Sequence, residues 1–325
     1  MITRLRGKAG ALGPIRLPED DPLVGEDFCL TLYICYELHY RGFDGVEAAW
    51  EWEPSLLEFR RRLESLFEAA LSRQVAQPDL LPALPIESAL KEIASRDSGP
   101  SASRYLERQA TIDQLLEFIV HRSAYHLKEA DPHSWAIPRL AGRAKAALVE
   151  IQADEYGGGN ADLVHATLFA NTMNAVGLDP RYGAYLDLIP GVTLSTVNLM
   201  SLFGLHRRWR GGLIGHLAAF EMISALPNRR YGNALRRLGF GPSATAFFDE
   251  HVEADSVHEV VAAHDLAGSL VAQEPALYPD VVFGASAYVE LDSLWAQFML
   301  DRWASGASSL RRPLRPIDHF PVPLS

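Results

Sequence analysis

The chain has 325 residues, of which 48% are hydrophobic and 22% are charged, proportions that are ordinary for a globular protein. Its net charge of −11 disfavours a nucleic-acid binder, and no basic stripe with interleaved aromatic residues is present. A chain of this length can bury a large core.

Location and redox environment are predicted from three features. Residues 1–16 are basic but lack the apolar segment of a secretory signal. The most apolar long run, residues 186–205, contains Asp187 and Pro190, which a bilayer span would tolerate poorly. Cys29 and Cys35 fit neither a zinc knuckle nor a disulfide framework. These features predict a cytoplasmic protein without a membrane span.

Hydrophobic periodicity, capping residues and glycine or proline breaks predict a succession of helices, and no alternating pattern lasts long enough to support a sheet. The predicted helices cover residues 27–40, 55–73, 86–96, 103–129, 138–155, 161–176, 194–206, 210–226, 228–238, 247–265 and 285–303. The prediction is an all-α fold with a single domain. An extended lead-in (1–25) precedes the helical domain (26–305), and an extended tail (306–325) follows it.

The segment 247–265 places three polar side chains on an apolar helical face. At about 100° per residue, His251, Asp255 and His258 fall within roughly 60° of one another. The same face carries Phe247 and Phe248, so it is expected to point into the core. Buried polar and charged groups need partners, and a metal ion or a His–Asp–His hydrogen-bond cluster would both provide them. The segment alone leaves these two interpretations open.

Four other ionisable residues replace apolar residues on predicted core-facing stripes: Glu129, Glu155, His165 and Glu221. The whole set contains four carboxylates and three histidines, enough for two metal ions with bridging carboxylates. Asp255 and His258 have the Glu-x-x-His spacing with Asp in place of Glu, but the motif is not repeated. The glycines at 157–159 interrupt the helix between Glu155 and His165, and we expect this break to bring the two side chains together.

These residues also carry a family resemblance. The chain resembles the haem-oxygenase-like di-iron oxidases and oxygenases, a family of iron-containing redox enzymes, in residues 150–159 with His165, in 215–221 and in 248–258. The resemblance extends more loosely from about residue 125 to 303. It implies a haem-oxygenase-like helical bundle with a non-haem di-iron centre. The implied ligands are Glu129, Glu155, His165, Glu221, His251, Asp255 and His258.

The interval between Glu155 and His165 resembles that of the N-oxygenating branch more than that of the fatty-acid-decarboxylating branch. The resemblance therefore implies two iron ions, dioxygen as co-substrate, and N-oxygenation of an amine or amino-acid-derived substrate in specialised metabolism. Oxidative C–C cleavage or decarboxylation of an amino or fatty acid by the same centre is the alternative. A zinc or manganese hydrolase, and a non-catalytic metal, haem or metabolite binder, are rivals of other classes.

Further expectations concern partners and neighbouring residues. A small-molecule substrate, an external electron donor and a homodimer are compatible with this function. We predict no catalytic residue beyond the metal ligands. His126 is expected at the surface or in support of a ligand, and Asp154 is expected to face water or pair with arginines.

Overall fold

The structure, a computed structural model, describes residues 1–75, 84–95 and 101–315, without the side chains of 253–257. In the described part of the chain, helices are joined by turns and no residue lies in a β-strand, which confirms the all-α prediction. The α-helices are α1 (Ile2–Leu5), α2 (Glu26–Glu37), α3 (Pro54–Gln74), α4 (Ile86–Ser95), α5 (Ala102–Arg108), α6 (Ile112–His126), α7 (Asp131–Ser134), α8 (Gly142–Glu155), α9 (His165–Ala175), α10 (Gly191–Leu205), α11 (Arg210–Arg237), α12 (Pro242–Val260), α13 (Ser269–Gln273) and α14 (Tyr278–Ala304).

The predicted helix 103–129 is divided in the structure. Thr111 begins α6 with a capping box, in which its hydroxyl accepts from the Gln114 amide and the Gln114 side chain accepts from the Thr111 amide. This arrangement satisfies backbone amides at the start of a helix. The chain therefore turns before Thr111, and a new helix begins there. The prediction of one continuous helix was wrong, and Glu129 lies in the turn after α6.

The opposite correction applies to α11, which was predicted as two helices separated at Pro227. The structure has one helix of 28 residues that runs through this proline. A proline inside a helix costs about 3 kcal/mol or more. Side chains on both sides of it, among them Leu217 and Leu235, are buried, and we attribute the continuity to this packing.

Helices α11 and α14 cross at a point where both are glycine. A Cβ atom at Gly215 would lie 1.9 Å from the carbonyl oxygen of Val281, and one at Gly284 would lie 1.9 Å from that of Gly212. The two backbones can approach this closely because neither glycine has a side chain. Helix α11 packs most extensively with α14 and with α12.

The two terminal segments are held against the helices. The lead-in is extended after α1, but Leu5, Leu12 and Leu23 are buried in the core. In the tail, the buried Ser309 donates its hydroxyl to Glu117 of α6 at 2.7 Å. The described part of the tail therefore packs on the bundle, while residues 316–325 lie outside the described residues.

The structure also bears on the expectations about a membrane span and about the two cysteines. Within the described ranges, none of the helices combines the length and the apolar character that a bilayer crossing requires. Cys29 and Cys35 are both buried free thiols.

Candidate metal centre

Six of the seven predicted ligands converge between four helices and one turn. None of them is more than 8% exposed. They are Glu129 in the turn after α6, Glu155 at the end of α8, His165 at the start of α9, Glu221 on α11, and His251 and His258 on α12. The seventh, Asp255, is on α12 between these two histidines, but its side chain lies outside the described residues.

The six side chains form two groups that share one carboxylate. Glu129, Glu155, His165 and His251 each offer a donor atom, and these atoms all lie within 4.8 Å of one another. The same holds for Glu155, Glu221 and His258. Two-metal sites hold their ions about 3.5–4 Å apart, a separation that a carboxylate can bridge with its two oxygens. Glu155 belongs to both groups, so it is the described residue that would hold both ions if two were bound.

The donor atoms face one another without satisfying one another. Within the described structure, Oε2 of Glu129 and Nδ1 of His258 are buried and have no hydrogen bond. Oε2 of Glu155 and Nδ1 of His165 also form none, although they are 3.0 Å apart. Buried polar atoms without partners are costly, so this arrangement favours a cation between the donors over a hydrogen-bonded core cluster. Imidazole and carboxylate suit iron, and equally manganese and zinc.

The glycine break brings Glu155 to His165. Gly157, Gly158 and Gly159 have φ angles of +66°, +58° and +88°, a region that other residues rarely adopt. On a continuous helix the two side chains would be about 15 Å apart along the axis, but here their nearest donor atoms are 3.0 Å apart. The break at the glycines thus brings together two side chains that are ten positions apart in the sequence.

Glu129 is held by His126, which the sequence predicted at the surface or in support of a ligand and which the structure places in the second of these positions. The Nδ1–H of His126 donates to Oε1 of Glu129 at 2.8 Å, and both side chains are buried. Burial raises the pKa of Glu129, but His126 and His251 outweigh this effect and lower it well below its usual value. Glu129 is therefore an ionised carboxylate, with its second oxygen, Oε2, left without a hydrogen bond.

His251 is oriented by the backbone of its own helix. A carbonyl oxygen can only accept, so Nδ1–H of His251 donates to the Phe247 carbonyl at 2.8 Å. The other ring nitrogen, Nε2, then carries the lone pair and lies 3.6 Å from Oε1 of Glu129. This hydrogen bond selects the tautomer that a metal ligand needs.

His258 uses the opposite nitrogen. Its Nε2–H donates to Oδ2 of Asp154 at 3.1 Å, and its Nδ1 lies 3.5 Å from Oε2 of Glu221. Burial lowers the pKa of His258, but Glu221 and Asp154 raise it to about 9. Burial, the largest influence, raises the pKa of Glu221. Glu221 and Asp154 thus favour the positively charged form of His258.

Asp154 faces water, as predicted, but it also has a partner that the sequence did not indicate. Its side chain is 61% exposed, but its partner is a buried histidine and not an arginine. Because a supporting carboxylate fixes the orientation of a ligating imidazole and raises its basicity, losing one typically weakens metal binding about 10- to 100-fold.

We expect Asp154→Ala to weaken the binding of one metal ion by this factor, namely the ion nearest to His258. Anaerobic titration with Fe(II) would measure it, with Glu150→Ala, an exposed substitution on the same helix, as the control. Wild-type affinity for both ions in Asp154→Ala would show that this hydrogen bond does not support a ligand.

A cavity adjoins the centre and has side chains from α6, α11 and α14 in its wall. We call it the α6–α14 cavity. Among its lining residues are Arg122 and His126 from α6, Phe220 and Tyr231 from α11, and Tyr288, Asp292 and Trp295 from α14. His126 contacts Glu129, and Phe220 precedes Glu221 in the chain. A second, smaller cavity beside it shares four of these residues and also contacts Tyr125 and His216.

Two comparisons with known proteins bear on this site. The model of a family described as iron-containing redox enzyme matches residues 116–293, which are more than half of the chain. All seven predicted ligands lie within this range. The nitrosourea synthase of Streptomyces achromogenes subsp. streptozoticus is 29% identical over 164 residues, which are 50% of this chain and 35% of that protein. The aligned part of the chain thus spans about a third of the length of that relative.

Proposed function

Because the chain belongs to the family of iron-containing redox enzymes, we propose that it is a non-haem di-iron oxygenase or oxidase. The observation that carries the proposal is the pair of donor groups that share Glu155. A mononuclear site needs three or four protein ligands, and the described structure brings together six. Bound ferrous iron would supply electrons and open coordination positions for dioxygen.

The protein's own residues would do three things at such a centre. Glu155 would hold both ions, with Glu129, His165 and His251 on one side and Glu221 and His258 on the other. The Phe247 carbonyl and Asp154 would fix the imidazoles in the tautomers that coordinate. Burial of all six side chains would exclude bulk water, which strengthens every electrostatic interaction in the site. Asp255 remains a proposed seventh ligand.

We further propose N-oxygenation of an amine or amino-acid-derived substrate. The similarity to a protein named nitrosourea synthase supports this choice, since a nitrosourea contains a nitrogen–oxygen bond. In the simplest form, a primary amine and dioxygen would give a hydroxylamine and water. The second oxygen atom needs two electrons and two protons to become water, so the proposal includes an external electron donor.

The first test is the metal content and oxygen reactivity of the protein. After anaerobic loading with Fe(II), we expect about two iron ions per chain, coupled in their Mössbauer spectrum, and consumption of dioxygen by the ferrous protein. Zinc-loaded protein is the matched control, since zinc accepts the same ligands without redox chemistry.

Other results would contradict the proposal in different ways. One isolated ferrous ion per chain would exclude the dinuclear site, and an intense Soret band would indicate a haem protein. Oxygen consumption that releases carbon dioxide or a shortened carbon chain, without an N-oxygenated product, would keep the centre but replace N-oxygenation with C–C cleavage.

A further inference from the structure

The α6–α14 cavity contains two opposite charges side by side. Arg122 projects from α6 and Asp292 from α14, and their nearest atoms, a guanidinium nitrogen and Oδ1, are 3.5 Å apart. Both are partly exposed to the cavity, with 20% and 29% of the side chain accessible. Neither residue belongs to the ligand cluster or contacts one of its members through a hydrogen bond given by the structure.

The two charged side chains are held in place, but the ion pair between them is loose. A charge-assisted N–H···O bond is about 2.7–2.9 Å long, whereas this pair is separated by 3.5 Å. The guanidinium is fixed by aromatic rings, with its carbon 4.0 Å from the ring centre of Trp295 and 5.7 Å from that of Phe118. Arg122 and Asp292 therefore present hydrogen-bonding capacity to a ligand from fixed positions.

The size of the cavity limits what can bind there. Its volume, counted for the centres of water molecules, is about 70 Å³. One water needs roughly 10–15 Å³ by this measure, so the cavity has room for more than a single water. That space fits the polar head group of a small molecule.

Its charges determine which small molecule fits best. Arg122 and Asp292 form only a loose ion pair at 3.5 Å, so each keeps hydrogen-bonding positions that a ligand can fill. A ligand with one negative and one positive group can pair with both residues at once. A ligand with a single charge can pair with only one of them. Ser224 and Asn228, also in the wall, add polar groups to this part of the cavity.

We propose that Arg122 and Asp292 bind a zwitterionic head group, with Arg122 on its carboxylate and Asp292 on its ammonium group. This inference rests on the proposed function, since it gives the substrate of the adjacent centre a chemical class, and it makes the two residues specificity determinants. Ligands that carry both charges are selected over ligands that carry only one.

The experiment measures binding without the reaction. Fe(II)-loaded protein under anaerobic conditions is screened with the twenty standard L-amino acids by thermal shift. Each amino acid that binds is then compared by calorimetry with its decarboxylated amine and its deaminated acid. We expect at least one amino acid to bind about 30-fold or more tightly than either single-charge analogue, as for other buried charge contacts.

The variants assign each charge to its residue. In Arg122→Gln the preference for the amino acid over its amine should disappear, while its preference over the deaminated acid remains. In Asp292→Asn the reverse should hold. Each comparison is a ratio within one protein, so a loss of stability does not imitate it. The control is Arg236→Gln, which breaks an exposed pair with Asp249 and should change neither ratio.

Three outcomes would overturn the inference: no amino acid binds, the single-charge analogues bind equally well, or both ratios survive both substitutions. Dioxygen consumption by the same ferrous protein separates this failure from failure of the proposed function. If the protein consumes dioxygen but shows no such selectivity, the centre stands and the head-group site does not. If the selectivity is present but the protein neither holds iron nor consumes dioxygen, the proposed function fails.

Discussion

Replacing Glu155 with alanine should remove both iron ions, whereas replacing Glu221 should remove only one. Glu155 is the single described residue that belongs to both donor groups. Its loss leaves three protein donors on one side and two on the other, with nothing described to bridge them. We expect iron content to fall from about two ions to well below one per chain, and oxygen consumption to fall by more than the roughly 100-fold that loss of a supporting residue can cost.

The Glu221→Ala protein gives the contrast that tests bridging. It loses one donor of the smaller group, Glu155–Glu221–His258, and leaves all four donors of the larger group in place. We expect about one iron ion per chain, bound as a mononuclear site. If Glu155→Ala and Glu221→Ala retain the same amount of iron, Glu155 is not shared between two ions.

The metal-free proteins provide a second measurement that does not depend on activity. Without a cation, three buried carboxylates lie close together, and Glu155 is among the groups that raise the pKa of Glu221. Removing one of them relieves repulsion, so apo Glu155→Ala should melt no lower than apo wild type. Glu150→Ala, at an exposed position on the same helix, is the control, and it should retain wild-type iron content. A large fall in the melting temperature of apo Glu155→Ala would mean that this residue supports the fold itself.

The sequence predicted the convergence of the candidate ligands better than it predicted the residues that contact them. His251 and His258 could be assigned to one inward face because a single helical period relates them. Glu155 and His165 could be joined because consecutive glycines disfavour a helix. Glu129 was predicted from a helix that the structure ends three residues earlier, yet its side chain lies in the cluster. In each case a local pattern contained enough information to identify the side chain.

Long-range contacts were not accessible in this way. Asp154 follows the exposed face of α8, and only the approach of α12 makes it the partner of His258. Arg122 and Asp292 are 170 positions apart and meet because the assembled bundle brings side chains of α6 and α14 together. Helix α11 continues through Pro227, and side chains on both sides of the proline are buried. This packing exists only in the assembled bundle. No periodicity within one segment encodes these contacts.

Gly157→Ala should separate His165 from Glu155, while Gly158→Ala should leave them together. Both positions have positive φ, so either alanine costs about 1–2 kcal/mol of backbone strain. Only at position 157 is there also a collision, because a Cβ there would lie 2.6 Å from the Leu163 carbonyl carbon and 2.7 Å from the Val164 nitrogen. At position 158 a Cβ would meet nothing within 4 Å.

The two substitutions are therefore matched for strain and differ in what they displace. Val164 immediately precedes His165, so relief of the collision at residue 157 moves the backbone that carries this ligand. We expect Gly157→Ala to fold, to show a helical circular-dichroism spectrum close to wild type, and to bind iron at least about 10-fold more weakly, the lower end of the cost of disturbing a ligand's support. Gly158→Ala should lose some thermal stability and keep wild-type iron affinity. Equal iron affinity in the two variants would show that the close packing of Gly157 does not position His165, and that the left-handed turn alone sets the distance to Glu155.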